Sequence, residues 1–490
     1  MMRTDLILHV YSRYIQIELS KLFEEFSQSW DMHRFEAGVR RLMDELEACL
    51  IAVALNRILS SQSFLEQLKV VGSALGMRYK EYRTLRVRLQ NGREITLQTP
   101  YFIKAEAKRG RKKKGPNGRG RHLGLQVMGI VGQATPGCIS MVAQLGLLCP
   151  SLAVAEAVLR EQGFLIDVKT IRRYCRELGE TGMAWRGQVS LNGQEKLTGK
   201  TLVIGIDGGR VRIRRPKCGR RKAEQKRQGF HPDWKEPKLF TIYLLDEKGE
   251  VVQDFAPIQD ATMGDHQQLS ALLEQYLSAL PLPEVARLVF CGDGASWIWS
   301  GVSALCERLQ LNPAHVYQVL DYTHAKQQLA LLLDAVAKGK RQQEHLDKKW
   351  LALLWQGKID DLATEIKRVC TGARLRTALK KWRSYFAENQ SRMNYQAFHA
   401  AGIPCGSGCV ESAIRRVINL RLKAPGTFWT LQMAEVFLFL RSQLLSGRWA
   451  IMLQNITRQT ARFLLRIQEE STHVTAFQHP RPFAYSPISL

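Results

Sequence analysis

The 490-residue chain sets 71 Lys+Arg against 45 Asp+Glu, a formal net charge of +26, with a sequence pI near 9.8. That excess is the electrostatic footprint of a nucleic-acid binder, ahead of an anionic membrane surface, because the charge is clustered rather than spread. No apolar run is long enough to span a bilayer, and ten cysteines without a CxxC argue against a zinc ribbon and a disulfide framework and for a reducing cytosol.

The length implies two or three domains. Residues 14–75 read as helix, with Leu42, Leu46, Leu50, Ala54 and Ile58 at helical spacing. We take 1–82 as a helical region with a possible role in oligomerisation. Residues 83–125 form a hairpin and a basic linker. Leu85, Val87 and Leu89 alternate with polar residues, Asn91-Gly92 supplies the turn, and Ile95 and Leu97 alternate on return. Residues 104–121 hold nine basic residues and one acidic, including Arg111, Lys112, Lys113 and Lys114. Their Gly, Pro and Asn content marks a loop.

Residues 126–195 suggest a helix-turn-helix. Ser151 caps one helix, Gly163 breaks it, and a second over 168–178 exposes Lys169, Arg172, Arg173 and Arg176. That pair either sends its second helix into a major groove or packs as an ordinary helical hairpin.

From 201 the pattern changes. Strands are expected over 201–206, 238–245 and 251–257, the last two as a hairpin around 246–250. A helix over 265–280, a strand over 286–291, a helix over 296–309, a strand over 314–320 and a helix over 323–337 follow. An antiparallel hairpin joined through helices to parallel strands is a ribonuclease H-like order. The predicted fold class is therefore α/β, an RNase H-like mixed sheet with a mainly helical DNA-binding region before it. Its core occupies 196–335, a helical insertion 336–400, and closing helices 401–450. A C-terminal helix and tail fill 451–490.

Three acidic residues carry the chemistry. Asp207 (VIGIDGGR) and Asp293 (LVFCGDGASWIW) end β-branched runs, and Glu411 (IPCGSGCVESAIRRV) opens a helical one. Converging carboxylates bind hard divalent ions such as Mg²⁺, with Mn²⁺ able to substitute. Two such ions clamp the oxygens of a phosphodiester displacement. Residues 208–238, directly after Asp207, hold twelve basic residues against three acidic, Arg210 and Arg212 among them. Arg415, Arg416, Arg421 and Lys423 follow Glu411 as phosphate-backbone candidates. Trp297 and Trp299 either stack on a frayed base or belong to the core. Asp321 and His324 stand after the fifth strand, and His324 either meets a phosphate or merely satisfies Asp321. Cys405 and Cys409 read as packing residues.

The segments IDGGR, GDGASWIW, DYTH and GIPCGSGCVESAIRRVINLRLK together resemble the DDE transposases of bacterial insertion sequences of the ISKra group, relatives of Mutator-like and hAT elements. The resemblance covers residues 201–449. It implies an RNase H-like core, Mg²⁺-dependent cleavage at terminal inverted repeats and strand transfer into target DNA. It also implies a bacterial cytoplasmic location and at least a homodimer on DNA. Asp207, Asp293 and Glu411 match the metal triad, and Asp321 and His324 match the C/D-x-x-H motif. The cysteine-rich zinc module of related members has no counterpart around 85–121, so no zinc site is expected. A structure-selective nuclease on the same fold, and a non-catalytic regulator derived from a transposase, remain the alternatives.

Overall fold

The computed structural model describes residues 4–105, 120–187, 196–219, 229–337 and 339–458. Arg111, Lys112, Lys113 and Lys114 lie outside the described residues. The chain divides into two compact units, residues 1–184 with 452–490, and residues 185–451.

In the first unit, α1 (Thr4–Ser29), α2 (Met32–Leu59) and α3 (Gln62–Ala74) precede a hairpin of β1 (Met77–Arg88) and β2 (Glu94–Lys104). Its register pairs Leu85 with Leu97 and Val87 with Ile95, and Gly92 takes a positive φ of 86° at the turn. Alternation sends Val87, Ile95 and Leu97 inward against Leu59, Ile51, Ala52 and Leu55. The inward stripe of α2 is therefore not the one expected. Leu42 is buried, but Leu50 and Ile58 are each 45% exposed, and Ala54 is exposed too. The segment is apolar on nearly every side, so periodicity alone leaves its rotation about the helix axis open. The hairpin face decides it.

Four helices follow: α4 (Leu123–Val127), α5 (Pro136–Leu148), α6 (Leu152–Glu161) and α7 (Val168–Met183). Thr135, Ser151 and Asp167 cap the last three, each accepting from a backbone N–H in the first turn. Gly163, at φ 79°, turns the chain between α6 and α7. A Cβ on Gly146 would stand 3.0 Å from the Cys175 sulfur, so glycine lets α5 approach α7 closely. Ile171, Tyr174, Cys175 and Leu178 face inward. Lys169, Arg172 and Arg176 are exposed and Arg173 is half-buried.

The second unit contains, in order, β3 (Thr201–Gly208), β4 (Val211–Pro216), β5 (Phe230–Lys235), β6 (Lys238–Leu245), β7 (Ile258–Thr262), α8 (His266–Ser278), β8 (Arg287–Gly292), α9 (Ser296–Arg308), β9 (Val316–Leu320) and α10 (Tyr322–Val336). Then come α11 (Lys340–Trp355), α12 (Ile359–Val369), α13 (Gly372–Lys381), α14 (Tyr395–Ala400), α15 (Gly408–Ala413) and α16 (Leu431–Leu445). Helix α17 (Trp449–Arg458) ends the described chain. The unit is mixed α/β around a five-stranded sheet of order β7-β6-β3-β8-β9. Strand β6 runs antiparallel to both its neighbours, β7 and β3, while β3, β8 and β9 are parallel. No single helix among the described residues is long and apolar enough to cross a membrane.

Two expectations are corrected here. The partner of β6 is 258–262, not 251–257, whose backbone meets β6 at its start through the Val251–Leu245 bridge and the Val252 N–H donating to the Leu244 carbonyl at 3.0 Å. The earlier segment ends in Pro257, which has no N–H for a ladder, whereas every residue of β7 is buried. The second concerns the basic stretch 208–238, where no strand was expected. Its described ends pair instead as a ribbon, β4 against β5.

One sheet face packs Leu202, Ile204, Ile206, Phe240 and Phe290 against α8, α9 and α10. The other carries Val203, Val289 and Val319 against Ile403. The sheet's outer strand is fastened by a buried ionic cluster. Arg186 Nε donates to Asp260 Oδ2 at 2.7 Å and its Nη1 to Glu435 Oε1 at 2.7 Å. Tyr276 donates to Asp260 at 2.9 Å, and Glu435 Oε2 accepts from the Met263 N–H at 2.6 Å. The two carboxylates hold the Arg186 guanidinium protonated against its burial. Strand β7, α8 and α16 are joined by these bonds.

Candidate active site

Ile206 pairs with Gly292, and Gly292 pairs with Leu320, at the ends of the three parallel strands. The next residue on each strand is an aspartate. Asp207, Asp293 and Asp321 thus form one row at the C-terminal edge, on neighbouring strands about 4.8 Å apart. The Asp321 N–H donates to the Gly292 carbonyl at 2.8 Å, which carries the row one step beyond the last paired residues.

Glu411 arrives from a helix. Strand alternation puts Val203, Gly205 and Asp207 on one face, and α15 covers it. A Cβ on Gly205 would lie 2.9 Å from Val410 Cβ, so only glycine admits α15 at this depth. Glu411 is the residue after Val410 and stands exposed at the same edge. Ser407 Oγ donates to Glu411 Oε1 at 3.3 Å. The i,i+4 pairing with Arg415 that a solvated helix face would show is not formed among the described residues.

Asp321 is the hub. It is 1% exposed. Its Oδ1 accepts from the His324 backbone N–H at 2.7 Å and from His324 Nδ1 at 3.1 Å. Its Oδ2 accepts from the Ser407 N–H. The carboxylate therefore caps α10, orients the imidazole and anchors the turn before Glu411. Ligand atoms of Asp321, His324 and Glu411 lie within 4.8 Å of one another and could hold a metal ion together.

Charge crowding shows in the acidities. Burial pushes the Asp207 carboxyl up to about 6, and the Asp293 and Glu411 carboxylates push the same way against the Gly208 N–H and His324. Asp321 goes the other way. Burial would raise it, but hydrogen bonds from His324 and Ser407 win and hold it at about 2. The hydrogen bond to Asp321 raises the His324 pKa, assisted by the charges of Asp321, Asp293 and Asp207. Five residues from four elements thus share one electrostatic environment.

One site residue was missed by the sequence. Tyr385 lies on a π-helical turn, Trp382–Ala387, that continues α13. A Cβ on Gly294 would be 2.2 Å from its Cε2, so the ring rests on the residue after Asp293. Its hydroxyl is buried with no hydrogen-bond partner. Burial raises its pKa above the ordinary range, with Asp293 and Asp321 adding to it. Lying 92 positions from Asp293, it carries no local sequence signal. The glycine of GDGAS was the only trace.

Two DNA-contact expectations are corrected. Trp299 is 5% exposed; its indole N–H donates to the Asp293 carbonyl at 2.8 Å and Arg392 stacks on its ring. It braces the Asp293 turn and offers no face to a base. Arg421 is 3% exposed, its guanidinium 5.3 Å from the ring centres of both Trp429 and Phe437. Trp297 is half-buried with Lys238 Nζ 5.0 Å from its ring. Arg210, Arg415, Arg416 and Lys423 are exposed. Arg212 is half-buried, its Nη2 donating to the Ala424 carbonyl at 2.6 Å.

No family model matches the chain, and no curated protein sequence matches it either. Among solved structures, the chain is similar to one described as the Drosophila P element transposase strand transfer complex. Identity is 11% and the TM-score 0.24, over 69% of this chain and 85% of the other.

Proposed function

We propose that the chain is a DDE-type transposase of the bacterial insertion-sequence kind, acting in the cytoplasm on the terminal inverted repeats of a mobile element. The observation that carries this reading is the row Asp207, Asp293, Asp321 at one sheet edge, with Glu411 delivered beside it by α15. The strand order β7-β6-β3-β8-β9, with helices of the 340–400 segment inserted before α15, supports an RNase H-like core.

The donor set suits Mg²⁺. It is built of carboxylate oxygens, and burial, with the neighbouring Asp293 and Glu411 charges adding to it, drives Asp207 up to about 6, so the site calls for positive charge. Asp207, Asp293 and Glu411 are the ligands this reading assigns to the ions; the ligand atoms already drawn together are those of Glu411 with Asp321 and His324, so Asp207 and Asp293 would complete the site from the sheet edge. When bound, two such ions supply electrostatic stabilisation to the attacking and leaving oxygens of the phosphodiester. Asp321 fixes the proton of His324 on Nδ1 by accepting from it, and keeps the imidazole at the edge of the site. Asp321 also holds Ser407, and through it the turn that aims Glu411. Exposed Lys169, Arg172 and Arg176 on α7 are the candidate reading surface for the repeats. Cutting two ends together implies at least a dimer on DNA.

The test is cleavage and strand transfer on labelled DNA carrying the inverted repeat that flanks the gene. Wild type is compared with Asp207→Asn, Asp293→Asn and Glu411→Gln, each with Mg²⁺, with Mn²⁺ and with EDTA. Cleavage at the repeat boundary that each substitution and EDTA abolish is expected. Cleavage that survives in the variants would mean other residues do the chemistry. Cleavage without strand transfer would move the chain to the nucleases.

A further inference from the structure

The ribbon of β4 and β5 leaves the sheet two residues after β3, so Arg212 is at most about 17 Å along the chain from Asp207. Its register sets Arg212 opposite Trp234, Arg214 opposite Pro232 and Pro216 opposite Phe230. By alternation these share one face, and their side chains form a ladder. The Arg212 guanidinium carbon is 5.6 Å from the Trp234 ring centre and 5.1 Å from that of Phe428. Phe428 is 5.3 Å from Phe230, and Arg214 lies 5.0 Å from Phe230. The inner rungs are partly covered. The outermost is not: Trp234 is 54% exposed, although an indole is among the costliest side chains to leave in water. Arg214, on the same face, is exposed and forms no ion pair among the described residues.

The geometry points to a second nucleic-acid contact in which the Trp234 ring stacks on an unpaired base and Arg214 holds the adjoining phosphate. The ligand is an unpaired strand because a base inside a duplex has both faces covered by its neighbours, whereas a frayed or overhanging one offers a π-face. An exposed arginine without an ion-pair partner on the same face as the ring favours a polyanion over a protein surface. Arg212, held by Ala424 and sandwiched between aromatic rings, fixes the indole from behind, so little motion is lost on stacking. A strand leaving the Asp207 edge would meet this face within a few nucleotides of the reacting phosphate. The inference rests on the reading of the chain as a DNA-processing protein, and names the form of DNA that it engages.

The experiment is fluorescence anisotropy with the full chain in EDTA, so that no cleavage enters. The probes are a blunt duplex and the same duplex with a short single-stranded overhang, 3′ or 5′. Wild type is expected to prefer an overhang. Trp234→Ala should weaken overhang binding about 5- to 150-fold and leave the blunt duplex unchanged, while Trp234→Phe keeps most of the preference. Arg214→Ala should weaken the overhang probe and flatten its salt dependence. Wild type that binds both probes equally, or Trp234→Ala that behaves as wild type, overturns this inference and leaves the DNA-processing reading standing. Wild type that binds neither probe overturns both. A Trp234→Ala protein that loses only self-association assigns the face to a protein partner instead.

Discussion

Asp321 accepts a hydrogen bond from the backbone N–H of Ser407, 86 positions later in the chain. The end of the last strand is thereby tied to the turn that launches Glu411, with α10 to α14 looped out between them. Replacing Asp321 by Asn puts an amide N–H₂ where one of two donors now points, toward Ser407 or toward His324. A buried donor facing a donor costs about 1–3 kcal/mol. We expect Asp321→Asn to lower unfolding stability by that amount and to cut cleavage about 10- to 100-fold, as losses of supporting partners at metal sites do. A variant of wild-type activity would leave Asp321 a helix cap and nothing more.

Gly205 gives a test of position rather than of chemistry. A methyl group there meets Val410 at a distance no packed pair tolerates, so α15 has to lift. Overpacking of this kind costs about 1–3 kcal/mol. Since Glu411 moves with α15, Gly205→Ala should lose up to about 100-fold in cleavage while DNA binding stays at the wild-type level. Binding and cleavage lost in proportion would instead indicate general unfolding.

Tyr385→Phe separates ring from hydroxyl. The ring still covers Gly294, and the buried hydroxyl removed has no partner to leave behind. Stability should hold or rise slightly. Cleavage should fall about 10-fold or more if the hydroxyl serves the Asp293 side of the site. Thermal unfolding and single-turnover cleavage read the two effects independently, and unchanged cleavage would confine Tyr385 to packing.

The acidity of Asp207 makes a pH prediction for the metal-free protein. Its folded pKa, about 6, lies above the ordinary value of 3.8. The folded state therefore binds the proton more tightly than the unfolded one. The stabilisation is complete below about pH 4 and is lost as pH rises through 6. With partial solvent screening the change is on the order of 1–2 kcal/mol. Thermal melts in EDTA should show it, Asp207→Asn should abolish it, and Mg²⁺ should offset it most at neutral pH.

The buried cluster predicts a plainly structural result. Arg186→Met would strand the Asp260 and Glu435 carboxylates, both nearly inaccessible to solvent. Breaking a buried pair in this way costs about 3–5 kcal/mol, and the variant should accumulate as insoluble protein. Comparable soluble yield and melting temperature would show that the cluster adds nothing to the fold.

The parallel strands and their helices were legible because each is a β-branched run or a periodic stretch with a capping residue, as at Asp265 and Asp321. The row of aspartates could be read for the same reason, since each directly follows such a run. What failed depended on partners distant in the chain. The rotation of α2 is set by a hairpin face, and the pairing of β6 by which later segment lacks a proline. The burial of Arg421 is set by Trp429 and Phe437. Trp299 stayed open between a base and the core because nothing in its neighbourhood announces that the indole N–H is needed at Asp293. Tyr385 lies in the helical insertion, where aromatic residues at wide spacing give no hint of which one returns to the sheet.

The order of these pieces along the chain has a consequence for the cell that makes it. Synthesis delivers the three strand-end aspartates well before Glu411. A nascent chain still on the ribosome, or one cut short in the 340–400 helices, holds the carboxylates of the sheet but neither the glutamate nor the Ser407 turn that steadies Asp321. On the proposed reading such a fragment lacks the group that completes the site, so only chains translated past Glu411 would be able to cut DNA.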